Sequence, residues 1–556
     1  MSSKRKPRAI DLYSGVGGWS LGLRLAGIDV VASYDWSGSA NETNFKNNHH
    51  QAQTVNVRRL TLDELPSKID IVVGSPPCTQ FSFSNRGGNG DIDDGLKDVI
   101  KFFQIVDHLR PAAWAMENVP RVAEIIEREL GPRGRLRRFC HLGVDSRIIN
   151  MEQFGLPQRR TRCIVGNLPF DLLLAYSERA PRRTLGDVVQ ALRGKKVRDP
   201  IYGISLPCEK ITDHLVEEAL NAEQIRINRA NKLFHPVYNS MPFPDPLSRS
   251  VRTITSVCTR VSRESVVIAD MKEPGELRRL TVRERASLQG FPITFQFYGS
   301  TYRQKQEMVG NAIPPLFTYY LGHAMRRSAI QHVVAPSRLK GVFQLPANLA
   351  ESIVPDKIGT RYPLNRRFRF AIPTLHLKSG VRFELSNEFA PSGVSWRVNF
   401  FFGTSKSIHS IVLERSLEKR VLNTLPQAVR QRVEVALGEV SAQLEGVDVN
   451  RLQRVWAHRG PSQLTPFMLL DLLDEAAKKL MTILSNEPVA ERTVLSVVRR
   501  EFGVPPVGVG KLTKNAQKVV VGLLLGSRAN MMVNRRKVRV PSRLGRSKSG
   551  SLRDGR

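Results

Sequence analysis

Within GSPPCTQFS, residues 74–82, a β-branched run ends at Gly74, and two prolines stiffen the backbone immediately before Cys78. A cysteine at a strand end is ordinarily core filler. Against that stand the paired prolines, the loop position and the polar, glycine-rich stretch SNRGGNGDIDDG just downstream, which has the composition of a mobile lid. A second reactive residue type closes another apolar run, where AMENVP carries Glu117 and Asn118. A carboxyl buried at such a rim could stay protonated and donate to a base, because desolvation raises its pKa; a solvated strand-end charge would not. These features alone leave open whether Cys78 is filler or nucleophile.

A third segment, DLYSGVGG, follows a predicted strand and opens a helix. Gly15, Gly17 and Gly18 let the backbone turn sharply and approach a ligand. A tight strand–helix turn would use the same glycines, and the spacing departs from the GxGxxG of dinucleotide sites. The next strand ends in YDW, where Asp35 can accept from ribose hydroxyls and Trp36 can stack on adenine. The two segments together suggest an adenosine-containing cofactor without a pyrophosphate.

To about residue 166, short β-branched runs alternate with helical stretches, which is the rhythm of a doubly wound α/β sheet. Its ligands sit at the carboxyl ends of the strands, where all the residues above fall. From 167 to 279 the pattern breaks into loops with scattered Pro and Arg, and helical features return between 280 and 330. Beyond about 335, GVRFELSN and SWRVNFFFG alternate as half-buried strands do. TPFMLLDLLDEAAKKLMTIL reads as a helix capped by Thr465 with Pro466 at its first position. Residues 335–533 thus make an α+β accessory domain, and 534–556 a basic, disordered tail.

At 556 residues, with 41% hydrophobic and 24% charged residues, the chain has room for two or three globular domains. The 84 Lys and Arg against 51 Asp and Glu leave a net charge of +33, which favours a polyanionic partner, though an anionic membrane surface or plain solubility would also use it. Five cysteines without CxxC spacing argue against disulfides and zinc. With no signal-peptide core and no run near the roughly 18 apolar residues of a membrane span, the expectation is a soluble, cytoplasmic, nucleoid-associated protein.

DLYSGVGG, GSPPCTQFS, ENV, QRRTR, LTVRERASLQGFP and GNAIPP occur in the order and approximate spacing of the cytosine-5 DNA methyltransferases, and the chain resembles that family over roughly residues 8 to 330. The resemblance implies a Rossmann-like S-adenosylmethionine-dependent methyltransferase domain formed by 1–166 and 280–330, with 167–279 as the target-recognition region. It makes Cys78 the nucleophile that adds to carbon-6 of a flipped cytosine. Glu117 would engage ring nitrogen 3 and Asn118 would orient the loop. Gln158, Arg160 and Arg162 would share the work of positioning the base, holding Glu117 and Cys78 and touching phosphates. Ser82 would contact a phosphate. Tyr13, Ser14, Gly15, Gly17 and Gly18 would surround the methionine part of the cofactor, Asp35 its ribose and Trp36 its adenine. Pro76, Asn311 and Ala312 would complete that pocket.

Two positions depart from the family pattern. Asn56, in TVNVRRL, stands where an Asp usually accepts from the adenine amino group, which implies weaker binding, and Val282 replaces a frequent Pro. In the recognition region Thr253 and Ile254 match a short Thr-plus-aliphatic signature. Arg249, Arg252, Arg260 and Arg263 offer guanine or phosphate contacts, or equally a solvated basic face. The implied partner is double-stranded DNA bound by a monomer, with a cognate restriction endonuclease acting separately. The family's tRNA-methylating branch and a catalytically silent DNA-binding protein are the rivals. The longer recognition region and the basic extension disfavour the first, and the intact Cys78 and Glu117 the second.

Overall fold

The computed structural model describes residues 5–81, 90–234, 240–355, 361–377, 382–404, 407–461, 463–485, 489–504, 506 and 508–534. The chain divides into two compact units, one of residues Met1–Asn228 and Pro242–Asp356, the other of Arg229–Met241 and Lys357–Arg556.

The first unit is built on strands β1 (Arg8–Leu12), β2 (Asp29–Asp35), β3 (Gln51–Thr54), β4 (Ile71–Gly74), β5 (Ala113–Asn118), β6 (Asp145–Asn150), β7 (Gln158–Arg159) and β8 (Thr161–Gly166). Seven of them form one sheet in the order β3-β2-β1-β4-β5-β8-β6, while β7 pairs outside it. From β3 to β5 the strands run parallel; β8 is antiparallel to both β5 and β6. Parallel strands covered on both faces need near-continuous apolar sequence, and IVVG and AWAM supply it. Alternate side chains serve opposite faces. Val73 and Ala115 join one core with Trp19, Leu23 and Phe317; Val72, Trp114 and Met116 join the other with Phe102 and Leu12. The Rossmann-like α/β class expected from the sequence is the observed one.

The returning segment closes this unit. Helix Pro315–Met325 lies against helix Gly18–Leu25 so closely that a Cβ on Gly22 would sit 2.0 Å from Thr318 Oγ1 and 2.6 Å from the Pro315 carbonyl oxygen. The unit also continues past residue 335. Phe343 and Ile353 pack on its core, and the Ala350 N–H donates to Gln296 Oε1 (3.2 Å), so the compact division falls at 356. Residues 229–241, inside the expected recognition region, group with the second unit.

The second unit holds a four-stranded antiparallel sheet of Arg369–Ala371, Arg382–Ala390, Gly393–Thr404 and Ser407–Ile411. Phe383 and Phe400 stack at 4.3 Å, and helix Ala516–Val533 approaches them through Gly522, where a Cβ would meet the Phe383 ring at 2.3 Å. The outer face is less exposed than simple alternation suggests. Arg382 and Glu384 are buried as an ion pair (3.2 Å), and Arg369 also bonds Glu384 (2.7 Å). Thr465 caps helix Pro466–Ile483, accepting from the Met468 N–H (3.2 Å), and Pro466 takes its first position. The tail from 535 onward lies outside the described residues. Among the described residues, no helix is long and apolar enough to cross a membrane.

Candidate active site

Strands β1 and β4 are neighbours whose onward connections leave in opposite directions, to β2 on one side and β5 on the other. Such a switch point opens a crevice at the carboxyl ends of the strands. The loop after β1 is the glycine-rich turn and the loop after β4 carries Cys78. They are tied together where Trp19 Nε1 donates to Ser75 Oγ (2.9 Å) and the Ser75 N–H donates to the Leu12 carbonyl (3.2 Å). Gly74 permits this approach, since a Cβ there would lie 2.6 Å from the Leu12 carbonyl oxygen.

Strand β5 brings Glu117 and Asn118 to the same rim, both buried. Asn118 Nδ2 donates to the Pro76 carbonyl (3.0 Å), and its Oδ1 accepts from the Val119 N–H (2.9 Å). The amide therefore fixes the two-proline loop that leads to Cys78. Across the antiparallel ladder, Arg162 on β8 sets its Nε 3.0 Å from Glu117 Oε1. Glu117 thus meets a cation at this rim. Cys78 itself is exposed. Enough protein surrounds its sulfur that desolvation pushes the thiol pKa up, and the Glu117 charge adds to this, while Arg162 and Arg160 pull the other way.

Arg160 is 2% exposed and spends its guanidinium on backbone carbonyls: Ile254 (3.3 Å), Gly310 (3.4 Å) and Ala312 (3.0 Å). Burial, with Arg162 nearby, pulls its pKa down. It joins the backbone at Ile254 to that of GNAIPP. Gln158 departs from its expected contact with the flipped base. Fully buried, it accepts from the Ile254 N–H (2.7 Å) and donates to Leu288 O (3.2 Å) and Gln289 Oε1 (3.0 Å), so its amide is saturated by protein. Ser82 lies outside the described residues.

The residues expected to hold the cofactor lie around the glycine-rich turn and the ends of β2 and β3. Tyr13 and Gly15 adopt positive φ (54° and 50°), and Gly17 (87°) leaves no room for a Cβ, which would meet Asn44 Oδ1 at 2.1 Å. A Cβ on Gly18 would lie 2.0 Å from the Ile313 carbonyl, which places GNAIPP, with exposed Asn311 and buried Ala312, against the glycine-rich turn. Asp35 is 8% exposed; its Oδ2 accepts from the Gly15 N–H (3.0 Å) and its Oδ1 from the Ser37 N–H (2.8 Å). Burial raises its pKa, and those N–H groups oppose the rise. Trp36 is 76% exposed, so its indole face is available. It lines a cavity of about 260 Å³ with Tyr13, Asn56, Arg58, Gln80 and Asp98. Asn56 Oδ1 already accepts from the Arg58 N–H (3.1 Å). Ser14 Oγ is buried without a hydrogen-bond partner. The open indole face of Trp36 on this cavity, with the Asp35 carboxylate next to it in sequence, suits an adenosine-bearing ligand.

Several residues here escape a reading of the sequence. Arg58 bonds Asp98 through Nε (2.8 Å) and Nη2 (2.6 Å) and Asp94 through Nη1 (2.9 Å), and the Tyr13 hydroxyl donates to Asp98 Oδ1 (3.3 Å). The only hint is the acid spacing, Asp94 and Asp98 being one helical turn apart. Asp11 accepts from the Ser20 hydroxyl (2.7 Å), but its Oδ1 is buried without a partner.

In the expected recognition region, Val251–Arg252 pairs in parallel with β7, and Thr253 Oγ1 donates to the Arg159 carbonyl (2.9 Å). Arg252 is held by Asp245 and the Ser265 carbonyl. Arg260 is held by Glu217 (3.0 Å) and the carbonyls of Glu218 (2.8 Å) and Ala219 (2.9 Å). Arg263 Nε is buried. Arg252 and Arg260 thus brace the protein and do not offer a basic reading face. Arg249 is the exposed member of the set.

The sequence pattern of the C-5 cytosine-specific DNA methylase family matches residues 8–327. The Type II methyltransferase M1.HphI of Haemophilus parahaemolyticus is 29% identical over 344 residues, covering 57% of this chain and 86% of its own length. M.NgoPII of Neisseria gonorrhoeae is 26% identical over 346 residues, covering 58% and 96%. Among solved structures, the S. pombe Dnmt2 methyltransferase covers 57% of this chain and 97% of its own at 19% identity, with a TM-score of 0.41. With its motifs assembled at the switch point and the family pattern spanning more than half its length, the chain belongs to the C-5 cytosine-specific DNA methylases, enzymes that methylate cytosine in DNA with S-adenosylmethionine.

Proposed function

We propose that Cys78 is the nucleophile of this reaction, that Glu117 serves ring nitrogen 3, and that the protein is the modification arm of a restriction–modification system. The observation that carries the reading is the convergence of Cys78, Asn118 and the Arg162–Glu117 pair at the ends of β4 and β5. Carbon-5 of cytosine is too weak a nucleophile to be alkylated unaided. Thiolate addition at carbon-6, with a proton delivered to nitrogen 3, makes carbon-5 enamine-like. The proton that Cys78 releases and the one that nitrogen 3 takes up balance, with Glu117 standing between them as carrier. Arg162 orients that carboxyl and Asn118 holds the loop. S-adenosylmethionine, held by Asp35, Trp36 and the glycine-rich turn, supplies the electrophilic methyl group. Loss of the carbon-5 proton to a base then allows Cys78 to leave. The base must first be flipped out of the duplex, at a cost of a few kcal/mol.

Residues of the 167–279 region, with Thr253 and Arg249 on its accessible side, choose the sequence. The protein works as a monomer in the cytoplasm beside the nucleoid, and a separate endonuclease is its counterpart. Bisulfite sequencing of DNA from a methylation-free host expressing the chain tests this directly. Protection of cytosines within one short sequence is expected, and its loss with Cys78→Ser. Unprotected DNA beside newly methylated tRNA would overturn the reading.

A further inference from the structure

Within the second unit, helix Val449–Trp456 buries Leu452, Gln453 and Trp456. Arg451 and Arg454, three residues apart, stand together on its exposed face. With Arg459, Asn450 and Gly460 they line a cavity of about 380 Å³. Several other arginines of this unit have carboxylate partners: Arg420 pairs with Glu501 (2.7 Å), Arg430 with Glu434 (3.1 Å) and Arg528 with Glu418 (2.5 Å). Among the described residues no carboxylate pairs with Arg451 or Arg454. The one acid on the cavity wall, Asp448, is an N-cap whose Oδ1 accepts from the N–H groups of Asn450 (2.9 Å) and Arg451 (3.1 Å).

The wall behind is stiff. Arg459 Nε donates to the Tyr362 carbonyl (3.0 Å), and the Arg366 guanidinium is stacked between Tyr362 (3.8 Å) and Trp456 (3.7 Å). Trp456 in turn donates to the Arg367 carbonyl (3.1 Å). A concave, pre-ordered surface lined by three arginines, whose single acid is engaged in capping its helix, suits phosphodiester oxygens, which guanidinium forks bind in bidentate fashion.

We propose that the Arg451–Arg454–Arg459 cluster is a second DNA-contact surface that grips backbone phosphates of duplex DNA without reading sequence. The idea rests on duplex DNA being the substrate but is independent of which residues perform the chemistry. It is tested on the full chain carrying Arg451→Ala with Arg454→Ala, beside the charge-preserving pair R451K and R454K. Affinity for target and non-target duplexes is measured across a range of salt. Both arginines are exposed, so the variants should fold, which circular dichroism and unchanged S-adenosylmethionine affinity would verify.

Each lost phosphate contact should flatten the log–log salt dependence by about 0.9, so the alanine pair should flatten it by about 1.8. Binding at physiological salt should weaken on the order of tenfold, equally for both duplexes, and the lysine pair should keep the wild-type salt slope while losing the part of the affinity that the guanidinium forks supply. An alanine pair with unchanged slope and affinity would overturn the proposal. So would loss of binding to phosphatidylserine vesicles with DNA binding intact, which would assign the cluster to a membrane. Failure of the wild-type chain to bind any duplex would instead remove the DNA substrate itself.

Discussion

The proposed role of Cys78 requires its thiolate, and the surroundings that raise its pKa should show in its pH dependence. Burial and the Glu117 charge lift it, and Arg162 lowers it. Alkylation by iodoacetamide, followed by mass spectrometry residue by residue, should give a midpoint for Cys78 above the ordinary thiol value. Arg162→Gln should move it higher still, and a midpoint below that of a model thiol would contradict the geometry. Asp11 gives a second titration. Burial pushes its carboxyl up to about 7, from 3.8. Because the folded state favours the protonated form, stability should fall as pH rises from about 4 to 7 and then level off. The penalty is on the order of 4 kcal/mol at most. Asp11→Asn should flatten this fall in urea titrations, and a stability rising over that window through Asp11 would refute it. The placement of Cys78 in the loop after β4 and of Glu117 and Asn118 at the end of β5 was legible in the sequence, because the apolar runs that lead to them mark the strands. The contacts of Gln158 and Arg260 were not, because their partners lie far along the chain and only the fold brings them together.

Three buried arginines from different elements each hold a carbonyl of residues 254–258: Arg160 holds Ile254 (3.3 Å), Arg285 holds Thr255 (2.6 Å) and Arg279 holds Cys258 (2.9 Å). The segment is also pressed against Gly310, where a Cβ would lie 2.3 Å from the Ser256 nitrogen. Gly310→Ala therefore forces backbone against backbone and should destabilise by about 1–3 kcal/mol or more. Arg285→Ala removes a charged hydrogen bond of about 1.5–3 kcal/mol. It should weaken binding to target DNA and blur sequence choice while leaving S-adenosylmethionine affinity unchanged, as equilibrium binding with each ligand would show. A loss confined to the cofactor would break the assignment of this segment to recognition. The βα alternation made the sheet legible in advance. The short pairing of β7 with Val251–Arg252 was not, since two-residue strands carry no periodicity.

The net charge of +33 is a property of the whole chain, and it sets how strongly binding depends on salt. Residues 535–556 contribute nine Lys and Arg against Asp554 alone. Their removal should weaken target and non-target binding alike and flatten the salt slope, while the methylated sequence stays the same. A changed target sequence would mean that recognition does not reside in 167–279. The second unit was legible as strands and helices, through the Thr465 cap and the alternating runs. Its buried Arg382–Glu384 pair was hidden, because alternating charges read as a solvated face until a neighbouring element covers them.

The central claim is that Cys78 joins covalently to the cytosine ring. DNA carrying 5-fluorocytosine at the target, incubated with the protein and S-adenosylmethionine, cannot lose the carbon-5 substituent, so Cys78 cannot be eliminated. A protein–DNA adduct that survives denaturation, maps to Cys78 by peptide mass and is absent from Cys78→Ser is the expected result. A serine variant that still forms the adduct, or an adduct on any other residue, would contradict it.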